Sequence, residues 1–154
     1  DIDIMESLIF ETRFHDVDAL VDQVTPDILQ FDGLNQVAAL IQSSVQASPA
    51  LRRYTLDLWL ATRTPADYGL KVEGVDIKRL VVAGASPRGI AMMMRAARVN
   101  AWLNGREAVL PEDIHAVFHE TIAHRMVFNP IYEMRRTEIA RELLNQAIHS
   151  ISAT

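Results

Sequence analysis

Cysteine is absent from the 154 residues of the chain. A disulfide framework and thiolate metal sites are therefore excluded, and so is a nucleophilic thiol. The absence is compatible with a reducing compartment, and we expect a cytoplasmic location.

Basic residues are scarce, and nearly all of them are arginines. Lys71 and Lys78 are the only lysines, and the formal net charge is -5. Nonspecific binding of nucleic acid depends on a concentrated positive face. We therefore expect no nucleic-acid partner, although a single arginine can still bind an anion.

Long apolar runs and a phosphate-binding loop are also missing. No stretch approaches the roughly 18 apolar residues of a membrane-spanning helix, so no membrane partner is expected. None of the six glycines stands before a lysine, so the motif G-x-x-x-x-G-K-[ST] is absent. The chain is not expected to bind ATP by itself through a P-loop. Because its first residue is Asp1 rather than methionine, we expect it to be a piece of a longer protein.

Helical periodicity is what the sequence does contain, with apolar residues recurring at intervals of three and four. Long stripes predict helices over residues 34–45, 49–63, 87–104, 111–122 and 133–152, and two shorter stripes lie before residue 25. The predicted fold class is therefore all-α, a helical bundle. Proline and glycine interrupt the pattern between residues 64 and 84, where an apolar run is compatible with a short extended segment near residues 75–83.

Predicted helix starts share one device, a hydroxyl residue followed by proline. The pairs are Thr25-Pro26, Ser48-Pro49 and Ser86-Pro87. The hydroxyl can accept a first-turn amide, and proline lacks the N–H that would remain without a partner there. Each pair therefore predicts the first residue of a helix.

Three histidines, His115, His119 and His124, are clustered on one predicted helix. A zinc-protease helix has the pattern H-E-x-x-H, whereas the spacing here is H-E-x-x-x-H. The extra residue turns His124 about 100° away from the required face. We favour solvated or locally hydrogen-bonded histidines and expect no metal site. A metal-dependent hydrolase built on His115 and His119 would need a third converging ligand.

Arg88 has an unusual position, the second residue of the helix that Ser86 and Pro87 begin. A cation there opposes the helix dipole by about 0.3–1 kcal/mol, a cost small enough for a solvated arginine. A bound anion would reverse the sign, because first-turn amides and a guanidinium both favour phosphate. The residues alone leave both interpretations open.

Several segments resemble one known family. The stretch "GASPRG" with its alanine-rich helix, then "NGREAVLPEDI" and "AHRMVFNP", resembles the C-terminal lid of MoxR-type AAA+ ATPases over about residues 84 to 130. The upstream helices that end at Thr62-Arg63 are similar to the family's first lid helices. The resemblance implies that residues 1–24 are the tail of the ATPase core and its connection to the lid, and that residues 25–154 are the α-helical lid.

The resemblance also implies a role for Arg88, that of the sensor 2 residue. It would reach from the lid to the γ-phosphate of ATP bound by the core, and Ser86 and Pro87 would position it. The whole protein would hydrolyse ATP with Mg²⁺ and act as a chaperone or remodelling factor. Implied partners are the N-terminal AAA+ core of the same chain, neighbouring subunits of a hexameric ring, and proteins with von Willebrand factor A domains. Because Walker A and B motifs are absent, we expect no catalytic residue in this chain alone.

Other motif positions are expected to have structural roles, as caps, first-turn acids and hydrogen-bonding groups: Arg106, Glu112, Asp113, His124 and Arg125. In one respect the chain departs from the family, which usually has Thr or Ser where this chain has Leu110. The helix that begins at Pro111 should therefore lack a side-chain cap worth about 1 kcal/mol.

The alternative is a stand-alone helical module that binds a partner helix or peptide and has no nucleotide role. Arg88 would then be an ordinary surface residue. Such a module should expose a continuous apolar groove, whereas a lid separated from its core should expose an apolar strip where the core packs.

Overall fold

Helices dominate the structure, a computed structural model that describes residues 2–25 and 30–153. The helices are α1 (Ile2–Phe10), α2 (Val17–Asp22), α3 (Leu34–Ser44), α4 (Pro49–Arg63), α5 (Ile77–Leu80), α6 (Pro87–Leu103), α7 (Pro111–Ile122) and α8 (Arg136–Ser150). Short 3-10 segments lie at Thr12–Phe14, Phe31–Gly33, Pro65–Tyr68, Ala123–Arg125 and Pro130–Arg135. Strands β1 (Val81–Ala83) and β2 (Val127–Phe128) form a small sheet. The predicted all-α class is confirmed, and no helix within the described ranges has both the length and the hydropathy for crossing a membrane.

The predicted helices are confirmed to within a few residues at their ends. The last one begins later than expected, because Asn129 caps a 3-10 segment, Pro130–Arg135, by accepting the Ile131 amide at 3.2 Å. The predicted start at Thr25-Pro26 lies outside the described residues, which do not include Pro26.

The short extended segment expected near residues 75–83 lies at the C-terminal end of that range. The Asp76 carboxylate accepts the Lys78 amide at 3.2 Å and so begins a single helical turn, Ile77–Leu80. Only Val81–Ala83 is extended. The short extended segment predicted near residues 75–83 is therefore confirmed at Val81–Ala83.

The small sheet connects the segment before α6 to the segment after α7. β1 and β2 are antiparallel, with Val81 opposite Phe128 and Ala83 opposite Val127. The Asn129 amide adds a hydrogen bond of 2.8 Å to the Leu80 carbonyl. Since α6 and α7 are consecutive helices, the sheet fixes the far ends of this pair to each other.

The chain divides into two units, Asp1–Val37 and Ala38–Thr154. In the first unit, α1 and α2 contain no buried residue. Large apolar side chains of this unit are exposed, Phe10 by 75% and Phe31 by 82%. Helices α1 and α2 therefore do not build a core between them.

The second unit has a well-formed apolar core. Helices α4, α6, α7 and α8 each contribute side chains with no exposed surface, including Leu58, Met93, Ile114, Phe118 and Leu143. Helix α6 packs mainly against α7. At the end of α6, Gly105 has a φ of 71° and donates to the Trp102 carbonyl at 2.9 Å, as expected for a glycine C-cap.

A buried carboxylate joins α6, the following loop and α7. Asp113 is fully buried, and its oxygens accept two hydrogen bonds from Arg106, at 2.6 and 2.9 Å. The Asn100 amide donates to the same carboxylate at 2.8 Å. A buried charge is tolerated when it is paired and its lone pairs are used, and both conditions hold here. The structural role expected for Arg106 and Asp113 is confirmed.

The same carboxylate also bonds the backbone of Leu110, the residue before α7. No side chain caps α7 there, as the sequence predicts. The Leu110 amide instead donates to Asp113 Oδ2 at 2.9 Å, and the Asp113 amide donates to the Leu110 carbonyl at 3.1 Å. The start of α7 therefore keeps one half of a capping box, the Asp113 carboxylate on the Leu110 amide, while the Asp113 amide, which a Ser or Thr side chain would accept, bonds the Leu110 carbonyl instead.

We expect Asp113→Ala to lower the free energy of unfolding by about 3–5 kcal/mol, because it leaves the Arg106 charge without its buried partner. Urea unfolding of the two proteins measures the difference. The control is Glu112→Ala, which removes an exposed first-turn acid and should cost less than about 1 kcal/mol. Equal effects of the two substitutions would contradict a structural role for the buried carboxylate.

Candidate functional site

The start of α6 has the geometry that the sequence predicts. Ser86 is extended, with φ -71° and ψ 163°, and its Oγ accepts the Gly89 amide at 3.3 Å. Pro87 occupies the first helical position. Ser48 caps α4 in the same way, by accepting the Leu51 amide at 3.1 Å.

Arg88 lies in the first turn of α6 and is exposed. Within residues 2–25 and 30–153, its guanidinium has no hydrogen bond or ion pair, and the first turn of α6 contains no acidic residue. The exposed guanidinium therefore lies at the positive end of the α6 dipole, and both the guanidinium and the dipole are attractive to an anion. The arrangement can attract a phosphate group. The chain has no motif, however, that would hold a nucleotide without another domain.

The backbone just before α6 lies in close contact with the end of α4. A Cβ atom on Gly84 would lie 2.5 Å from Arg63 Cγ and 3.0 Å from the Thr62 carbonyl oxygen. The next carbonyl, that of Ala85, accepts hydrogen bonds from Trp59 Nε1 at 2.7 Å and from Arg63 Nη1 at 3.3 Å. The Arg63 guanidinium also lies over the Trp59 ring, 5.5 Å from its centre. Helix α4 thus holds the segment that leads into Arg88.

On its other side, the first turn of α6 is covered by Arg125. A Cβ atom on Gly89 would lie 2.8 Å from Arg125 Cδ, so the arginine stem occupies the space that a side chain at position 89 would need. The Arg125 guanidinium donates to the Thr121 carbonyl at 2.6 Å and contacts His124 Nε2. This supports the structural role expected for Arg125 and its neighbour.

His115 and His119 make contacts with neighbouring side chains. His115 Nε2 and the Tyr54 hydroxyl are hydrogen-bonded at 2.7 Å, which supports the local hydrogen bonding expected for it. His119 Nδ1 lies 3.9 Å from the exposed Glu120 carboxylate. Among the residues that the structure describes, no three His, Asp or Glu side chains converge in a way that could hold a metal ion. The third ligand that a metal-dependent hydrolase would require is therefore lacking there.

Sequence reasoning did not identify Trp59 or the partner of Gly89. The only available signal for Trp59 was its i, i+4 spacing from Arg63, which places both side chains on one face of α4. Their joint target, the Ala85 carbonyl, lies 26 residues after Trp59 and cannot be read from a local pattern.

Gly84→Ala should destabilise the chain by about 1–3 kcal/mol, because the added methyl group would force Arg63 and the α4 backbone to move. Gly33→Ala is a matched control, since a Cβ there meets nothing within 4 Å. Urea unfolding gives both values. A stability of Gly84→Ala equal to or above that of the Gly33→Ala protein would contradict the close approach.

Burial lowers the pKa of His115 from its usual value of 6.5, and His149 acts in the same direction while Glu112 opposes it. The folded chain therefore binds fewer protons at His115 than the unfolded chain, so this contribution to stability is complete above about pH 6.5 and declines as the pH falls below it. We expect His115→Gln to lose less stability than the wild type between pH 7.5 and pH 5.5. Urea unfolding at both values tests this, with His15→Gln as control; equal losses in all three proteins would contradict it.

Residues 76–146 match the model of a family described as AAA lid domain. The chain is 44% identical over 146 residues to Protein MoxR of Methylorubrum extorquens, covering 95% of this chain and 43% of that protein. It is 50% identical over 145 residues to Protein MoxR of Paracoccus denitrificans, covering 94% of this chain and 43% of that protein. The chain therefore spans less than half the length of these two relatives.

A more distant relative is Chaperone MoxR1 of Mycobacterium tuberculosis, 33% identical over 104 residues, which are 67% of this chain and 26% of that protein. A crystal structure from Cytophaga hutchinsonii, named as a candidate ATPase, superposes with a TM-score of 0.64 at 30% identity. The matched region covers 73% of this chain and 32% of the Cytophaga hutchinsonii chain. The helical fold, the matched family model and these relatives agree with one another. The chain belongs to the MoxR-type AAA+ family and contains its lid domain.

Proposed function

We propose that Arg88 is the sensor 2 residue of an AAA+ ATPase and contacts the γ-phosphate of ATP held by the core of the same protein. Ser86 and Pro87 begin the helix that carries it. The observation that carries the proposal is the exposed Arg88 guanidinium at the positive end of α6, without an ion pair among the described residues.

The physical support is that a bound phosphate would change the electrostatic energy of Arg88 at this position from unfavourable to favourable. Without an anion, the cation opposes the helix dipole by about 0.3–1 kcal/mol. With a phosphate at the same place, the positive end of the helix dipole and the planar guanidinium both attract it. Arginines that contact the transferred phosphoryl group stabilise its charge in the transition state. A position that is slightly unfavourable in the free lid thus becomes favourable in the assembled protein.

The core of the longer protein would bind ATP and Mg²⁺, and the lid residues would orient the arginine toward the phosphate. Binding would hold the lid against the core, and loss of the γ-phosphate would release it as a rigid-body motion. In this proposal residues 1–24 belong to the tail of the core and its connection, and residues 25–154 are the lid.

For the whole protein we propose a chaperone or remodelling ATPase of the cytoplasm that works as a ring, with six subunits in the ring. One relative is named as a chaperone, which supports the activity. Partnership with von Willebrand factor A domain proteins rests on the resemblance of the segments around Arg88 and Pro111 to the family.

A stand-alone interaction module without a nucleotide role is the competing function. Its support is an open groove between α4 and α6, with Leu56, Ile90 and Met94 among its lining residues. The match to the lid family favours the ATPase, and the two functions differ in what Arg88 does. In the interaction module, Arg88 has no effect on ATP.

In the full-length protein, Arg88→Ala should lower steady-state ATP turnover by about 100-fold or more, because one positioned donor to the developing charge is lost. Phosphate release at saturating ATP is the measurement. Arg88→Lys should fall between Arg88→Ala and the wild type, since lysine keeps the charge but not the planar fork of donors.

The matched control is Arg95→Ala, on the same helix. Arg95 is exposed, and its side chain has no hydrogen bond or ion pair within the described residues. Its replacement should leave turnover close to that of the wild type. If Arg88→Ala and Arg95→Ala turn over ATP at the same rate, the sensor role is wrong.

A further inference from the structure

The position from which the Arg88 side chain extends is fixed by its backbone. No described residue donates to it, accepts from it or pairs with its charge. A long side chain without contacts reaches a target reproducibly only if the backbone that carries it is fixed. The groups that hold this backbone therefore affect how often Arg88 reaches its target.

The peptide group between Ala85 and Ser86 is the last one before the helix, and it is held from outside. Its carbonyl oxygen is not part of the hydrogen-bond ladder of α6, which begins with the bond from the Ile90 amide to the Ser86 carbonyl. It accepts instead from Trp59 Nε1 at 2.7 Å, and more weakly from Arg63 Nη1 at 3.3 Å. The indole bond is thus the shorter of the two tertiary bonds that orient this peptide.

Packing alone does not explain that bond. The only other tryptophan in the chain, Trp102, lies at the opposite end of α6, and no hydrogen bond of its indole is present within the described residues. It is 46% exposed. Trp59 is half-buried and directs its N–H at one specific carbonyl three residues before Arg88. The two tryptophans therefore offer a comparison between an exposed ring without such a bond and a half-buried ring that orients a peptide.

We propose that Trp59 is a positioning residue for Arg88, acting through the Ala85 carbonyl to direct the guanidinium at the phosphate. The inference rests on the proposed sensor role of Arg88. Removal of the indole N–H would let the Ala85–Ser86 peptide rotate, and the first turn of α6 would then present Arg88 in several directions. The chain would remain folded, but the arginine would reach the phosphate less often.

The test is a double-mutant cycle in the full-length protein. Trp59→Phe keeps a ring under Arg63 but removes the donor, and it is combined with Arg88→Ala. We expect Trp59→Phe alone to lower kcat for ATP about tenfold with little change in KM, because a misplaced group loses transition-state contact. In the Arg88→Ala background, Trp59→Phe should have no further effect, since the residue through which it acts is gone.

The control for loss of a tryptophan is Trp102→Phe, which should turn over ATP at the wild-type rate. An unchanged kcat in Trp59→Phe, or an equal loss in the presence and absence of Arg88, overturns the positioning role. If Trp59→Phe does not fold, Arg63→Met removes the second donor to the same carbonyl. It is then combined with Arg88→Ala, and kcat is compared in the same way. An unchanged kcat in Arg88→Ala alone instead overturns the sensor role, so the two failures are distinguishable.

Discussion

The close approach of Gly84 to the end of α4 is the constraint on which the candidate site depends. Two backbone segments touch there, at a distance that no side chain at position 84 would allow. Because the contact places the next residue beside Trp59, the Ala85 carbonyl meets a donor on α4. The helix then begins at once with Ser86 and Pro87, and Arg88 is left outside the contact. A single absent Cβ therefore determines where the backbone of the site lies.

Helix α7 has no side-chain cap at Leu110, and the buried carboxylate of Asp113 holds its first turn. Helix α7 begins after Leu110, whose side chain cannot accept a hydrogen bond from the first turn. Asp113 accepts the Leu110 amide, and its negative charge is neutralised by Arg106 while Asn100 uses a further lone pair. A buried carboxylate without these partners would be costly. The α6–α7 pair, and with it the position of Arg125 against Gly89, is thus held by polar groups as well as by the apolar core.

Much of this fold can be predicted from the sequence, because its main signals are local. The spacing of apolar residues predicts the long helices, and the Ser-Pro pairs at positions 48 and 86 predict two of their starts to the residue. The segment near residues 75–83 was harder to predict because Asp76 can cap a helical turn, which competes with the extended state that the apolar run favours. The 3-10 segment before α8 was missed for a related reason, since Asn129 provides a cap that the helical period does not reveal.

The candidate site was predictable only in part, because its residues depend on contacts between distant segments. Arg88, Ser86 and Pro87 stand together in one motif, and Asp113 and Arg106 in another. The donors to the Ala85 carbonyl come from α4, and the group against Gly89 comes from the segment after α7. No local pattern contains these pairs, because they exist only once the helices have packed. The division of the chain at residue 24 stays a prediction.

The small energetic cost of Arg88 is why the sequence alone could not decide its role. A penalty of about 0.3–1 kcal/mol is within what a surface residue tolerates, so position in the helix favours neither a solvated nor a phosphate-binding arginine. The two interpretations differ in whether the backbone that carries the free Arg88 side chain needs to be fixed. A solvated arginine needs no anchor for the peptide that carries it. Here the peptide is held by an indole, a guanidinium and a backbone contact, while the charged group itself has no described partner. Rigid support beneath an unengaged charged group at a helix N-terminus supports the proposal that Arg88 binds an external anion.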